Sequence, residues 1–371
     1  MRFQVERDGF ADAVAWSSKS LPSRTPVPIL GGVLLRLDGD TLQVSGFDYE
    51  VSTQVNLDAR ADEGGAAVVS GRLLAEITKT LPAKPVEVTK VGERLAVVCG
   101  STRFTLPTMP VEDYPELPQL PEPVGAVKAA EFHAAVAQVI VAAGRDDTLP
   151  VLTGVRMDSH GDKITLMATD RYRLAISEVA WQPETPDDQL DVLVPARALG
   201  DAAKSFNAVG GDVTIAVARD TIVGFTGGSR LTTSRLLEGA YPPVQSIVPT
   251  THRARILVSV REMIEVARRM SLVASQVTPL RLNLGENGLV VEAGSQSDAQ
   301  ASDGMDIAFE GEPMQVALNP QYLLDGLGML NSPKAQLSFL GPNKQVAIRP
   351  VDEYGEVIPG CQYIVMSVRT S

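Results

Sequence analysis

Asp170, Arg171 and Arg173 are the nearest thing in this chain to a reactive constellation. A carboxylate beside two guanidiniums has the charges needed to grip and turn over a phosphorylated substrate. Asp48 holds the corresponding place 122 residues earlier without the arginines, which suits an aspartate that closes a hairpin turn. The only histidines, His133, His160 and His252, lie in distant regions, and none stands four residues from another metal ligand. Cys99 and Cys361 share no ligand spacing and read as free, mostly buried thiols of a reducing compartment. Phosphate loops, dinucleotide fingerprints and nucleophile elbows are missing from the sequence. No catalytic residue, metal or cofactor is therefore expected. A phosphate-handling enzyme built on Asp170, Arg171 and Arg173 stays as the rival class.

The elements around these residues repeat. Residues 152–176 read as two strands and a turn, with His160-Gly161-Asp162 at the turn and Ile164, Leu166 and Ala168 alternating on the return. Gly154, Gly161, Ile164, Leu166 and Asp170 fall 122 residues after Gly32, Gly39, Leu42, Val44 and Asp48. Phe132 and Val136 follow Phe10 and Val14 by the same interval, so the repeat includes a helix. A second helix begins near Gly71 and stops at Pro82, and its counterpart places Arg197 125 residues after Arg72. The third copy is fainter: a helix over 260–274, a hairpin around Gly285–Gly288, a helix over 320–330, and strands near 335–339, 345–349 and 362–366. Such a period far exceeds that of a solenoid, so each unit holds its own core. The expected architecture is α+β, three tandem similar domains of two helices on antiparallel sheet, spanning 1–122, 123–250 and 251–371. The proline-rich stretches 117–125 and 248–255 read as the junctions.

Composition narrows the class. With 371 residues, 44% hydrophobic and 21% charged, the chain is an ordered globular protein of two or three domains. It shows no apolar leader and no run long enough to span a membrane, so a cytoplasmic setting is expected. Its net charge of −12 argues against a simple nucleic-acid binder. Like domains joined by short linkers and a repeated rotation form an arc, and head-to-tail contacts close arcs into a ring.

The segments SGRLLAEI, PVEDYP, RDDTLPVLTGV, ATDRYRLA, LNPQYLLDGL and YIVMSVR, in this order and spacing, resemble those of the bacterial DNA sliding clamps, the β subunits of the replicative polymerase. The resemblance covers essentially the whole chain. It implies a homodimeric head-to-tail ring of six domains, encircling double-stranded DNA without regard to sequence and tethering the polymerase. A clamp loader and other clients bind through short linear motifs. A topological link needs little contact affinity, which reconciles the acidic charge with DNA.

The same resemblance implies site residues. Arg24 and Arg72 correspond to DNA-facing positions; Lys79, Arg197 and Lys204 are either further lining or ordinary solvated helix faces. The dimer contact would set Phe104 and Leu106 against Leu272 and Val273, with Arg94 and Arg103 facing acidic partners, unless these apolar residues are intradomain core. The client-peptide pocket, between the second and third domains, would comprise Leu152, Thr169, Arg171, Tyr172, Arg173, Leu174, Pro242, Ile247, Asn319, Tyr322 and Met366, with Ser367, Val368 and Arg369 at its rim. Arg173 and Asn319 would be free to bond the peptide. The family ending Met-Pro-Met/Val-Arg-Leu is here Met366-Ser367-Val368-Arg369-Thr370-Ser371, and Ser246 replaces a larger residue. This is either drift at an exposed rim or the mark of a specialised second-copy clamp that tolerates cyclic peptide inhibitors.

Overall fold

A computed structural model describes residues 1–22, 25–186, 189–218, 221–274, 278–294 and 299–369. The chain forms two compact units, Met1–Ala130 with Pro183–Asp188 and Asp201–Leu236, and Glu131–Gln182 with Gln189–Gly200 and Leu237–Ser371.

In the first unit, helix α1 (Arg7–Ser17) packs on helix α2 (Gly71–Thr80). The Ser70 hydroxyl caps α2 by accepting the Leu73 N–H at 3.5 Å, and the chain turns extended at Leu81, ahead of Pro82. Leu74, Ala75, Ile77 and Thr78 form the buried face of α2, while Arg72 and Lys79, seven residues or about two turns apart, share the exposed one. The helices cover a core of Phe3, Phe10, Val14, Leu35, Leu42 and Leu95. One sheet runs in the order 60–63, 2–5, 86–91, 94–99, 102–107, which leaves Thr102–Pro107 at its edge. Strand Gly32–Asp38 pairs with both Thr41–Phe47 and Gly65–Ser70. Val51–Val55 then pairs with Arg230–Ser234 of the second repeat, joining the two repeats by backbone hydrogen bonds.

Helices α3 (Ala129–Ile140) and α4 (Ala196–Val209) belong to the second repeat, which contributes to both units. In the second unit, helix α5 (Val260–Ser271) packs on helix α6 (Pro320–Gly328). Ser259 caps α5, and Asn319 caps α6 ahead of Pro320. The hairpin Gly154–His160 and Lys163–Thr169 turns at Gly161, whose φ of 62° suits glycine. A four-stranded sheet runs 300–305, 288–294, 280–285, 314–318, with Gln300–Met305 at an edge.

These elements agree with the expected two helices and antiparallel strands in each of three repeats. Pro123–Lys128 and Ala254–Ser259 are strands that open the second and third repeats, so the stretches read as linkers end inside sheet. Pro123 fits because proline is tolerated as the first residue of a strand. No described helix is long and apolar enough to cross a membrane.

Candidate functional site

The second and third repeats join where Arg173–Ser177 pairs antiparallel with Cys361–Val365, the counterpart of the junction in the first unit. Met167, Leu174, Val244, Ala347 and Ile364 form a buried apolar floor here, flanked by half-buried Ile176, Tyr241, Ile247 and Val248. The chain end is tied down beside it. Met366 donates its N–H to the Tyr172 carbonyl and Val368 to that of Ala317, each at 2.8 Å. Next to the floor lies a cleft of about 760 Å³, lined by Arg145, Asp146, Leu149, Leu152, Asp170–Arg173, Gln321, Tyr322 and Asp325.

The turn at 169–173 is fixed by its own side chains. Asp170 Oδ1 accepts the N–H groups of Tyr172 and Arg173 at 3.0 and 3.1 Å, while Thr169 Oγ1 donates to the Arg173 carbonyl at 2.6 Å. Arg171 is held at φ 80°, an unusual place for a side chain larger than glycine. Asp48 does the same work in the first repeat, accepting from Glu50 and Val51 at 2.9 and 2.7 Å, with Tyr49 at φ 74°. Asp170 is thus a turn aspartate. Its other oxygen accepts Arg173 Nε at 2.9 Å, so both carboxylate oxygens are engaged by the chain. The supposed phosphate triad leaves only Arg171 exposed.

Arg173 is held by carboxylates that the sequence reading did not assign to it. Its buried guanidinium bonds Asp170 through Nε, and Asp325 Oδ2 at 2.5 Å and the Tyr363 hydroxyl at 3.4 Å through Nη1, so the chain itself fixes its position. Burial alone would lower its pKa, but Tyr363, Asp325 and Asp170 together raise it, keeping the charge. Asn319 also spends its side-chain oxygen, capping Gln321 and Tyr322 at 2.9 and 3.2 Å. Tyr322 lies 4.5 Å beneath the Arg173 guanidinium and stacks on exposed Tyr172 with centroids 6.3 Å apart. Burial raises the Tyr322 pKa. It also pushes the Cys361 thiol up to about 12, so this residue is protonated and unreactive at neutral pH.

The other predicted residues are placed as follows. Leu152, Thr169 and Leu174 are buried, Pro242, Ile247 and Tyr322 half-buried, and Arg171, Tyr172 and Met366 exposed, all around this floor and cleft. Ser367 and Val368 are half-buried and Arg369 exposed; Thr370 and Ser371 lie outside the described residues. Arg24 also lies outside them. Arg72 and Lys79 on α2 and Arg197 and Lys204 on α4 are exposed at matching positions of the two helices. Arg94 and Arg103 are exposed, Phe104 is half-buried against the core, Val273 is half-buried, and Leu272 is 86% exposed. Leu106 is corrected: at 2% exposure it belongs to the core of its own domain, because alternation along Thr102–Pro107 turns it inward opposite Leu95. Sequence reasoning missed Met167 and Ile176, which alternation with Thr169 and Leu174 reveals, and Asp325, whose partner Arg173 lies 152 residues away.

Repeat, junction and cleft define a three-repeat clamp architecture. Family models for the N-terminal, central and C-terminal domains of the DNA polymerase III beta subunit match residues 1–118, 126–243 and 245–368. The chain is 47% identical to the beta sliding clamp of Streptomyces coelicolor, with 100% of both chains covered. It is 42% identical to the beta sliding clamp homolog GriR of Streptomyces muensis, covering 100% of this chain and 99% of that one. Among solved structures it resembles the sliding clamp of Bacillus subtilis (TM-score 0.91, 25% identity, both chains fully covered). The griselimycin-bound clamp of Bartonella birtlesii is similar at TM-score 0.92 and 25% identity, again over the whole of both chains. The chain belongs to the family of bacterial DNA polymerase III beta subunits, the beta sliding clamps.

Proposed function

We propose that this chain is a processivity clamp with no chemistry of its own: a head-to-tail dimer that encircles duplex DNA and tethers the replicative polymerase in the cytoplasm. Full-length agreement with sliding clamps across all three domains is the observation that carries this reading. We place the domain limits at 122/123 and 250/251. Thr102–Pro107 and Gln300–Met305 are sheet edges whose backbone groups suit joining between copies, with exposed Arg103 on the first and exposed Leu272 three residues after Arg269, which pairs with Asp303 of the second. Arg72, Lys79, Arg197 and Lys204 supply a sequence-independent basic lining.

Clients insert a short linear motif over the apolar floor and cleft at the second junction. Aliphatic walls receive hydrophobic anchors, and the tail from Met366 to Arg369 forms one rim. A clamp loader follows from closure, since a closed ring cannot thread a circle unaided. The deciding experiment loads the dimer, identified by sedimentation, onto nicked circular DNA. Retention that survives salt and vanishes on linearisation is expected, because only an encircling ring slides off ends. Equal retention on linear DNA would reject the clamp reading.

One observation favours a second reading, in which this is a specialised clamp with weakened affinity for cyclic peptide inhibitors. The family proline of the C-terminal rim is Ser367, and its hydroxyl is buried with no hydrogen-bond partner among the described residues.

A further inference from the structure

Building on the client-peptide reading of the cleft, we propose that Asp325 is a positioning residue for the bound peptide: acting through Arg173, it holds Tyr322 and Tyr172 as a preformed aromatic wall. Both Asp325 carboxylate oxygens are committed, Oδ2 to Arg173 Nη1 at 2.5 Å and Oδ1 to Gln321 Nε2 at 2.7 Å. Arg173 is buried and anchored a second time by Asp170, so its guanidinium has one place to sit, 4.5 Å from the Tyr322 ring centroid. Tyr322 in turn supports Tyr172, which is 55% exposed and would otherwise sample several rotamers. The Tyr172 carbonyl holds the chain end through Met366, so wall and rim are tied to one residue.

The first repeat shows that this device is not needed to fold the turn. There Asp48 closes the same turn through two backbone N–H groups, with Val51 in place of the arginine. The arginine and its second carboxylate occur where the third repeat brings α6 to the cleft, beside the surface offered to the peptide. Ordering an aromatic wall before binding spares the peptide the side-chain entropy of ordering it on arrival.

The test titrates a fluorescein-labelled client peptide of the replicative polymerase into the wild-type dimer and into Asp325→Asn, Asp325→Glu, Tyr322→Leu and the Asp325→Asn/Tyr322→Leu pair. Asp325→Asn should weaken binding about tenfold, with Asp325→Glu recovering most of the loss. In the Tyr322→Leu background the same change should cost no more than about twofold, because the wall it acts through is already gone. Should Asp325→Asn fail to yield a dimer, Gln321→Met removes one bond to the same carboxylate and is expected to cost two- to threefold, again only when Tyr322 is present. An equal loss in both backgrounds, or no loss in either, overturns the proposal. A wild-type dimer that does not bind the peptide overturns the client reading instead.

Discussion

Ser367 Oγ is buried without a hydrogen-bond partner among the described residues, between two residues whose backbones are both held. Those anchors use the N–H groups of Met366 and Val368, so a proline at 367 removes neither of them. Serine there carries the cost of an unsatisfied hydroxyl, about 1–3 kcal/mol, and gives the tail more backbone freedom than proline would. A rigid cyclic peptide depends on rim shape more than a flexible linear one, which adjusts to a displaced tail at small cost. Ser367→Pro with Thr370→Leu should therefore raise affinity for a cyclic peptide inhibitor several-fold more than affinity for a client peptide. Paired titrations on the parent and the variant measure this. A ratio that stays put removes the specialised-clamp reading and leaves an ordinary clamp.

Helix α6 reaches the cleft because Gly326 has no side chain: a Cβ there would meet Tyr363 ring carbons at 2.5 and 2.6 Å. Tyr363 is fully buried and belongs to the junction strand, so it cannot give way cheaply. Gly326→Ala should thus push α6 off the junction, costing about 1–3 kcal/mol as overpacking does and weakening peptide binding together with it. Thermal melting and a peptide titration read the two effects; a variant as stable and as tight as its parent contradicts this packing. The helices and hairpins themselves were legible in the sequence, since Phe10, Val14 and Leu74 or Ile164 and Leu166 declare a helical or alternating period by local spacing. What the sequence hid lies at the junctions. Ser52, Thr232 and Thr233 are polar yet buried, because Ser52 Oγ meets Thr233 Oγ1 at 2.7 Å and Thr232 Oγ1 donates to the Ser52 carbonyl at 2.7 Å across two repeats. The anchoring of Arg173 was hidden for the same reason, its carboxylate partner Asp325 being supplied by another domain.

For the whole molecule the question is how a chain of net charge −12 works on a polyanion. Acidity repels DNA from most of the surface, while Arg72 and Lys79 on α2 and Arg197 and Lys204 on α4 present cations at equivalent places in two of the three repeats. In the third, Gln321 and Gly328 hold the matching positions of α6, so a lining built this way is weak and uneven. Contact and enclosure then respond differently to salt. Each phosphate contact adds about 0.9 to the slope of log affinity against log salt, whereas a closed ring on a circle has no such dependence. Replacing all four residues by glutamine should weaken binding to linear duplex at low salt and flatten its salt dependence by up to about 3.6 in slope per chain. Rings of the same variant, once loaded on nicked circles, should remain there at high salt as long as the parent does. Filter binding on linear DNA and gel filtration of loaded circles give the two readings. An unchanged slope would mean these cations do not face DNA, and faster loss of the variant from circles at high salt would mean that contact, rather than enclosure, holds the clamp in place.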